Sequence, residues 1–210
     1  IQFAYVVLGI DSNHGAEMDS KEEDLGDTGR SFPTVYNALF VGHVNNVVGS
    51  VSTDDNTPAI LRLREGTGGV FANSIIVNVV DGGTAVYRDQ CAGEVETQTF
   101  SNVNTASATR LDFLFFSGNN IISTGGGSGT QFDPQSPCPA VFGAIDTDPL
   151  LVMQSQTPSQ TSFFDPRPLS TSGPAYVNLD AVVASNDFLT DVPYKGAFSA
   201  SENWLVGLSW

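Results

Sequence analysis

Across 210 residues the chain carries 23 Asp and Glu against 8 Lys and Arg, a formal charge of -15 that repels phosphate backbones and argues against nucleic acid as a partner. No apolar run approaches the roughly 18 residues of a membrane-spanning helix. Charged residues make up only 15%, so Gly, Ser, Thr, Asn and Pro supply the polarity, as in a turn-rich extracellular β-protein.

Ile1–Ile10, IQFAYVVLGI, reads as an apolar strand with no turn or cap before it. An open edge of this kind predicts either residues upstream of Ile1 or a neighbouring copy that covers it. Asp11–Arg30 is the most acidic stretch and lacks apolar periodicity, so it reads as a loop. Asp11, Glu17, Asp19, Asp24 and Asp27 are candidate calcium ligands, because hard cations take carboxylate and carbonyl oxygens on a flexible loop. Their spacing does not follow the EF-hand pattern, and a solvated acidic loop is the competing reading.

Pro33–His43 predicts a strand pair, and Thr57–Asp89 predicts short strands between glycine clusters. Within the latter, Thr57–Arg62 (TPAILR) resembles Gly83–Arg88 (GTAVYR) at an offset of 26 (85 minus 59), the size of one coil of a solenoid. Arg62 and Arg64 alternate with Leu61 and Leu63, which points them outward. With the offset of 26, Arg88 stands one coil below Arg62, and the three form a short basic ladder. They are the candidate catalytic groups for a polysaccharide lyase-like reaction, weighed against plain ion pairs on an exposed sheet. His14 and His43 lack a nucleophile motif and read as loop or corner residues.

Asn37, Asn73 and Asn119 each precede an apolar run, at spacings of 36 and 46 (73 minus 37, 119 minus 73). They predict an asparagine ladder at one corner, with side-chain amides satisfying inward-turning backbone. Leu111–Phe116 predicts a core strand. Cys91 and Cys138 are the only cysteines; the readings are a disulfide or two buried thiols. From Asp146 onward the prolines predict extended segments wrapping the last coil, and Val192–Trp210 predicts an aromatic cap on the end of the core. No Asn-x-Ser/Thr sequon is present, while Ser155–Ser172 is a candidate for O-linked sugars or a plain wrapping loop.

The order of Gln2–Asn13, Gly15–Asp19, Phe32–His43, Leu61–Val79, Asp148–Val152, Asp165–Pro168, Gly173–Ala175 and Tyr194–Trp210 resembles the C-terminal half of large secreted parallel β-helix proteins of aquatic bacteria and algae. Leu208 stands where that group usually has Trp. The resemblance implies an all-β, right-handed parallel β-helix with coils over 1–145, further coils upstream, and a Pro-rich wrap with aromatic cap over 146–210. It carries no activity. The expectation is an extracellular or cell-surface structural or adhesive protein that associates with copies of itself, with no cofactor beyond a calcium ion. The alternative is a carbohydrate-active enzyme or glycan-binding module.

Overall fold

The computed structural model describes residues 1–9, 12–20, 31–43, 59–91, 114–138, 144–152, 165–182 and 187–206. Its strands are β1 (Tyr5–Val7), β2 (His14–Met18), β3 (Thr34–Tyr36), β4 (Leu39–Val41), β5 (Ala59–Leu63), β6 (Gly69–Ala72), β7 (Ile75–Val77), β8 (Thr84–Arg88), β9 (Leu114–Phe116), β10 (Ile121–Ile122) and β11 (Thr130–Pro134). They form three sheets, with strand orders β1-β4-β7-β10, β2-β5-β8-β11 and β3-β6-β9. Every neighbouring pair is parallel. The chain therefore visits the first, second and third sheets in fixed rotation. The only helical element among the described residues is a single 3-10 turn at Pro174–Tyr176.

Left-handed corners drive the rotation. Phe3, Asn37 and Asn73 have φ of 57°, 53° and 50° and follow the in-register residues Gln2, Tyr36 and Ala72 at the passage from the third sheet to the first. Glu65 and Gln90, at φ 53° and 52°, mark the passage out of the second sheet one circuit apart. One such residue breaks a strand and redirects it, at a cost that asparagine bears better than most. The corner at Phe3 corrects the expectation of one strand over Ile1–Ile10. Gln2 bridges Tyr36 in the third sheet, whereas Tyr5–Val7 pairs with Leu39–Val41 in the first.

The acidic stretch also departs from expectation. His14–Met18 is a strand, because Ala16 and Met18 alternate inward against the core while Glu17 is exposed. Residues 21–30 lie outside the described set. The predicted strand pair in Pro33–His43 is present as β3 and β4. Of Leu111–Phe116, the described residues Leu114–Phe116 form buried β9.

The interior is filled by inward residues of all three sheets, among them Phe40, Leu61, Phe71, Ile76, Val86 and Phe116. Phe116 stacks on Phe71 at 5.9 Å and meets Phe132 edge-on at 5.1 Å. Two sheets are apolar on their outer faces as well. Leu39, Val41, Ile75 and Val77 of the first sheet pack under Leu151, Ala175, Ala197 and Phe198. Tyr36, Val70, Ala72 and Phe115 of the third sheet pack under Leu189 and Val182. A sheet buried on both faces needs a second layer, and the C-terminal segment supplies it.

This layer changes the place of the predicted aromatic cap. Phe198 stacks on Trp204 at 4.8 Å and meets Tyr5 of β1 edge-on at 5.2 Å, and Gln2 exchanges hydrogen bonds of 2.7 and 2.9 Å with the Thr190 backbone. The wrap runs along the sheets from the first circuit onward, instead of closing the last coil. Trp210 lies outside the described residues.

Candidate functional site

Among the described residues, the first and third sheets are covered and the second sheet presents a charged outer face. The register aligns Glu17 of β2, Arg62 of β5, Tyr87 of β8 and Asp133 of β11 in one row across the four strands. Arg62 sits between its neighbours. Its guanidinium donates to Glu17 at 3.3 Å and to Asp89 at 3.1 Å and lies 5.9 Å from the centre of the Tyr87 ring. Although it is an outward arginine, its side chain is only 9% exposed.

Arg64 extends the network to Glu17 at 3.4 Å, Asp19 at 3.7 Å and Glu65 at 2.6 Å. Four carboxylates (Glu17, Asp19, Glu65, Asp89) thus surround two arginines, while Asp133 accepts from Gln135. Neither arginine is available to an anionic sugar without losing a carboxylate partner. The predicted basic ladder is not formed. Ala59 pairs with Thr84, an offset of 25 (84 minus 59), so Arg62 faces Tyr87 and Arg88 shares the row of Leu63. Arg88 is buried, at 3% exposure, away from the Arg62 row. A one-residue slip moves a side chain to the opposite face, and the apolar pair Leu61–Val86 fixes the true register.

Of the candidate calcium ligands, Asp11, Asp24 and Asp27 lie outside the described residues, and Glu17 and Asp19 are engaged by the arginines. Among the described residues, no group of three or more His, Cys, Asp or Glu is placed to hold a metal ion. His14 begins β2, with its Nδ1 3.0 Å from the Ala59 carbonyl. His43 lines a small crevice with Asn13, Gly42 and Thr84.

Cys91 and Cys138 form a disulfide across 47 residues. That separation matches one circuit, since Thr84 pairs with Thr130 (46 apart) in the same sheet. The bond ties two successive turns at the end of β8 and β11.

Asn37 and Asn73 occupy equivalent corners, but their amides bond outward to the wrap and not to one another. Asn37 Nδ2 donates to the Tyr194 carbonyl at 2.6 Å and its Oδ1 accepts from Gln2 at 3.0 Å. Asn73 bonds both backbone groups of Asp180, donating to its carbonyl at 2.7 Å and accepting from its N–H at 2.8 Å. At the third corner one residue is inserted, because Phe71 pairs with Phe116 (45 apart) and Ile75 with Ile121 (46 apart). Counting back from Ile121 aligns Asn119 with Asn73 and Asn120 with Ser74. Asn120 accepts from Ser74 N–H at 2.8 Å, as Ser74 Oγ does from Ala38 N–H at 3.3 Å, and donates to the Phe71 carbonyl at 2.9 Å, while Asn119 reaches Asp180.

The corner holds a polar cluster that sequence reasoning missed. The Asp180 carboxylate accepts from Asn119 Nδ2 at 2.8 Å and from the Ser117 hydroxyl, and Lys195 lies nearby with 0% exposure. Asp180 and Lys195 are distant in sequence from the corner they serve, and nothing local in Asn178–Asp180 or Tyr194–Phe198 marks them. Comparison with protein-family models, curated proteins and solved structures gives no match.

Proposed function

We propose that the chain is an extracellular structural or adhesive protein, a right-handed parallel β-helix that serves as a subunit of a fibre or surface assembly. The observation that carries the reading is the rotation of the chain through three parallel sheets, which among the described strands leaves β1 and β2 outermost at one end and β9 and β11 at the other, with Gln2 bridging onto β3 and Ile145 onto β10. Parallel strands of this kind extend by adding another strand in the same direction, and head-to-tail contacts that do not close on themselves give filaments.

Two further features support it. A disulfide between successive turns suits an oxidising compartment. The exposed charged face is occupied by its own ion pairs, which suits a scaffold better than a lyase needing free cationic groups. Sedimentation velocity across a concentration series, with and without calcium, tests the reading. Growth of species larger than one chain is expected; a monomer at every concentration under both conditions contradicts it.

A further inference from the structure

Lys195 is fully buried, at 0% exposure, and its Nζ has no hydrogen-bond partner. It sits in a stretch of the wrap that is pinned residue by residue. The Tyr194 carbonyl accepts from Asn37 Nδ2 at 2.6 Å, Lys195 N–H donates to the Ala175 carbonyl at 2.7 Å, and Gly196 N–H donates to the Asn73 carbonyl at 2.8 Å. While these three bonds hold, the lysine side chain stays out of water. A Cβ at Gly196 would lie 3.0 Å from Ile75 Cδ1, so the backbone there rests on the first sheet. The next two residues, Ala197 and Phe198, belong to the apolar layer over Leu39, Val41, Ile75 and Val77. The titratable groups on the elements joined by these bonds are Tyr36 at the end of β3, Tyr176 in the 3-10 turn, Tyr194 and Asp180. Strands β4, β6 and β7 contribute none. Asp180 is the acid among them, and its carboxylate oxygens are taken by Ser117 and Asn119.

We propose that Tyr194–Gly196 is a pH-operated latch: the wrap closes over the Asn37 and Asn73 corners with Lys195 as the neutral amine, and protonation of Lys195 opens it. An ammonium carries three donors and a full charge, and in this seat none of the donors is met; a neutral amine loses far less on leaving water. Burial accordingly holds the Lys195 amine below the usual lysine range, with the Asp180 charge opposing. Between that lowered value and the ordinary one of about 10.4, the opened chain binds the proton and the closed chain does not. Closure is therefore strongest above the ordinary value and is lost as pH falls through the folded value. Opening hands the ammonium to water and, through Ala197 and Phe198, uncovers the outer face of the first sheet. The latch rests on the wrap and its corners alone and needs no assembly of copies.

The chain has two lysines, Lys21 and Lys195, so protein labelled with nitrogen-15 at its lysine side chains gives two amine signals. A pH titration of the full chain, disulfide retained, is expected to show one amine below the ordinary lysine range, and Lys195→Met removes that signal. Hydrogen exchange at the Lys195 and Gly196 N–H groups reads the latch itself. Corrected for intrinsic exchange, their opening constant is expected to rise about tenfold per unit as pH falls from the ordinary lysine value to the lowered one, and to stay flat in Lys195→Met. Leu61 and Val86, in the second sheet, keep constant protection over the same interval. A Lys195 amine that titrates at the ordinary value overturns the proposal, as does an opening constant that does not change with pH. Both readouts come from the wild type, whether or not the variant folds. An equal pH dependence at Leu61 means that the whole fold opens, and it overturns the latch as well.

Discussion

Arg62 lies in register with Tyr87, its guanidinium 5.9 Å from the ring centre and held by Asp89 and Glu17 on either side. Arg64, two residues on, is 28% exposed at its side chain, against 9% for Arg62. The two arginines look alike in sequence and differ in energetic weight. Arg62→Ala leaves Asp89, 16% exposed at its side chain, without its cation while Glu17 keeps Arg64, and is expected to cost about 2 kcal/mol. Arg64→Ala leaves the buried Glu65 carboxylate, 6% exposed at its side chain, without its 2.6 Å partner and is expected to cost about 3 kcal/mol. Urea unfolding of the two variants checks the order, with the larger loss expected for Arg64→Ala; a smaller loss for Arg64→Ala than for Arg62→Ala contradicts it.

Asn73 separates backbone strain from hydrogen bonding. At φ 50° it holds a left-handed corner while its amide bonds the Asp180 backbone twice. Asn73→Gly keeps the conformation and loses both bonds, at an expected cost of about 2 kcal/mol. Asn73→Ala adds the left-handed penalty of about 1 kcal/mol. Denaturation midpoints in the order wild type, Gly, Ala are expected.

The wrap is part of the fold and not an appendage. Phe198 is 1% exposed between Trp204 and Tyr5. Phe198→Ala is expected to destabilise by about 3–5 kcal/mol and to increase binding of a hydrophobic dye, by uncovering the outer face of the first sheet. Unchanged dye binding would mean that another segment covers that face.

The Cys91–Cys138 bond closes a loop of 47 residues. Loop-closure entropy for that length is about 4 kcal/mol at room temperature. The double variant Cys91→Ser/Cys138→Ser should lose stability on that scale and match the reduced wild type in guanidinium unfolding.

Asp165 gives a pH signature. Its carboxylate is held below the usual range, first by side-chain hydrogen bonds from Arg167 at 2.7 and 2.8 Å, with the backbone bond and charge of Arg167 adding to them and burial opposing. The folded pKa is lowered, so its contribution to stability is full above the unfolded carboxylate pKa and disappears as pH falls through the folded value. NMR titration should place Asp165 below an ordinary aspartate, and Arg167→Ala should return it to that range.

Much of this architecture is legible in the chain. The alternation Leu61-Arg62-Leu63-Arg64 gives β5 and its charged face, and the glycine clusters bracket β6 to β8. The register was not legible, because the similarity of TPAILR to GTAVYR aligns Ala59 with Ala85, whereas packing prefers Leu61 against Val86. β2 was hidden because His14, Glu17 and their acidic neighbours outweigh the two inward residues, Ala16 and Met18. A signal for the covering layer was present in the unbroken apolar triplets Leu39–Val41 and Ile75–Val77, which imply burial on both faces. Nothing in the sequence reveals that Asp180 and the Lys195–Gly196 backbone are both held by Asn73, since that depends on how an irregular segment lies across two sheets.

The proposed function rests on copies of the chain adding end to end. Electron micrographs and fibre diffraction of concentrated native protein address that directly. Filaments with a spacing of about 4.8 Å along their axis are the predicted result, from parallel strands running across the fibre. Isolated particles the size of one chain, with no axial spacing at any concentration, would contradict it.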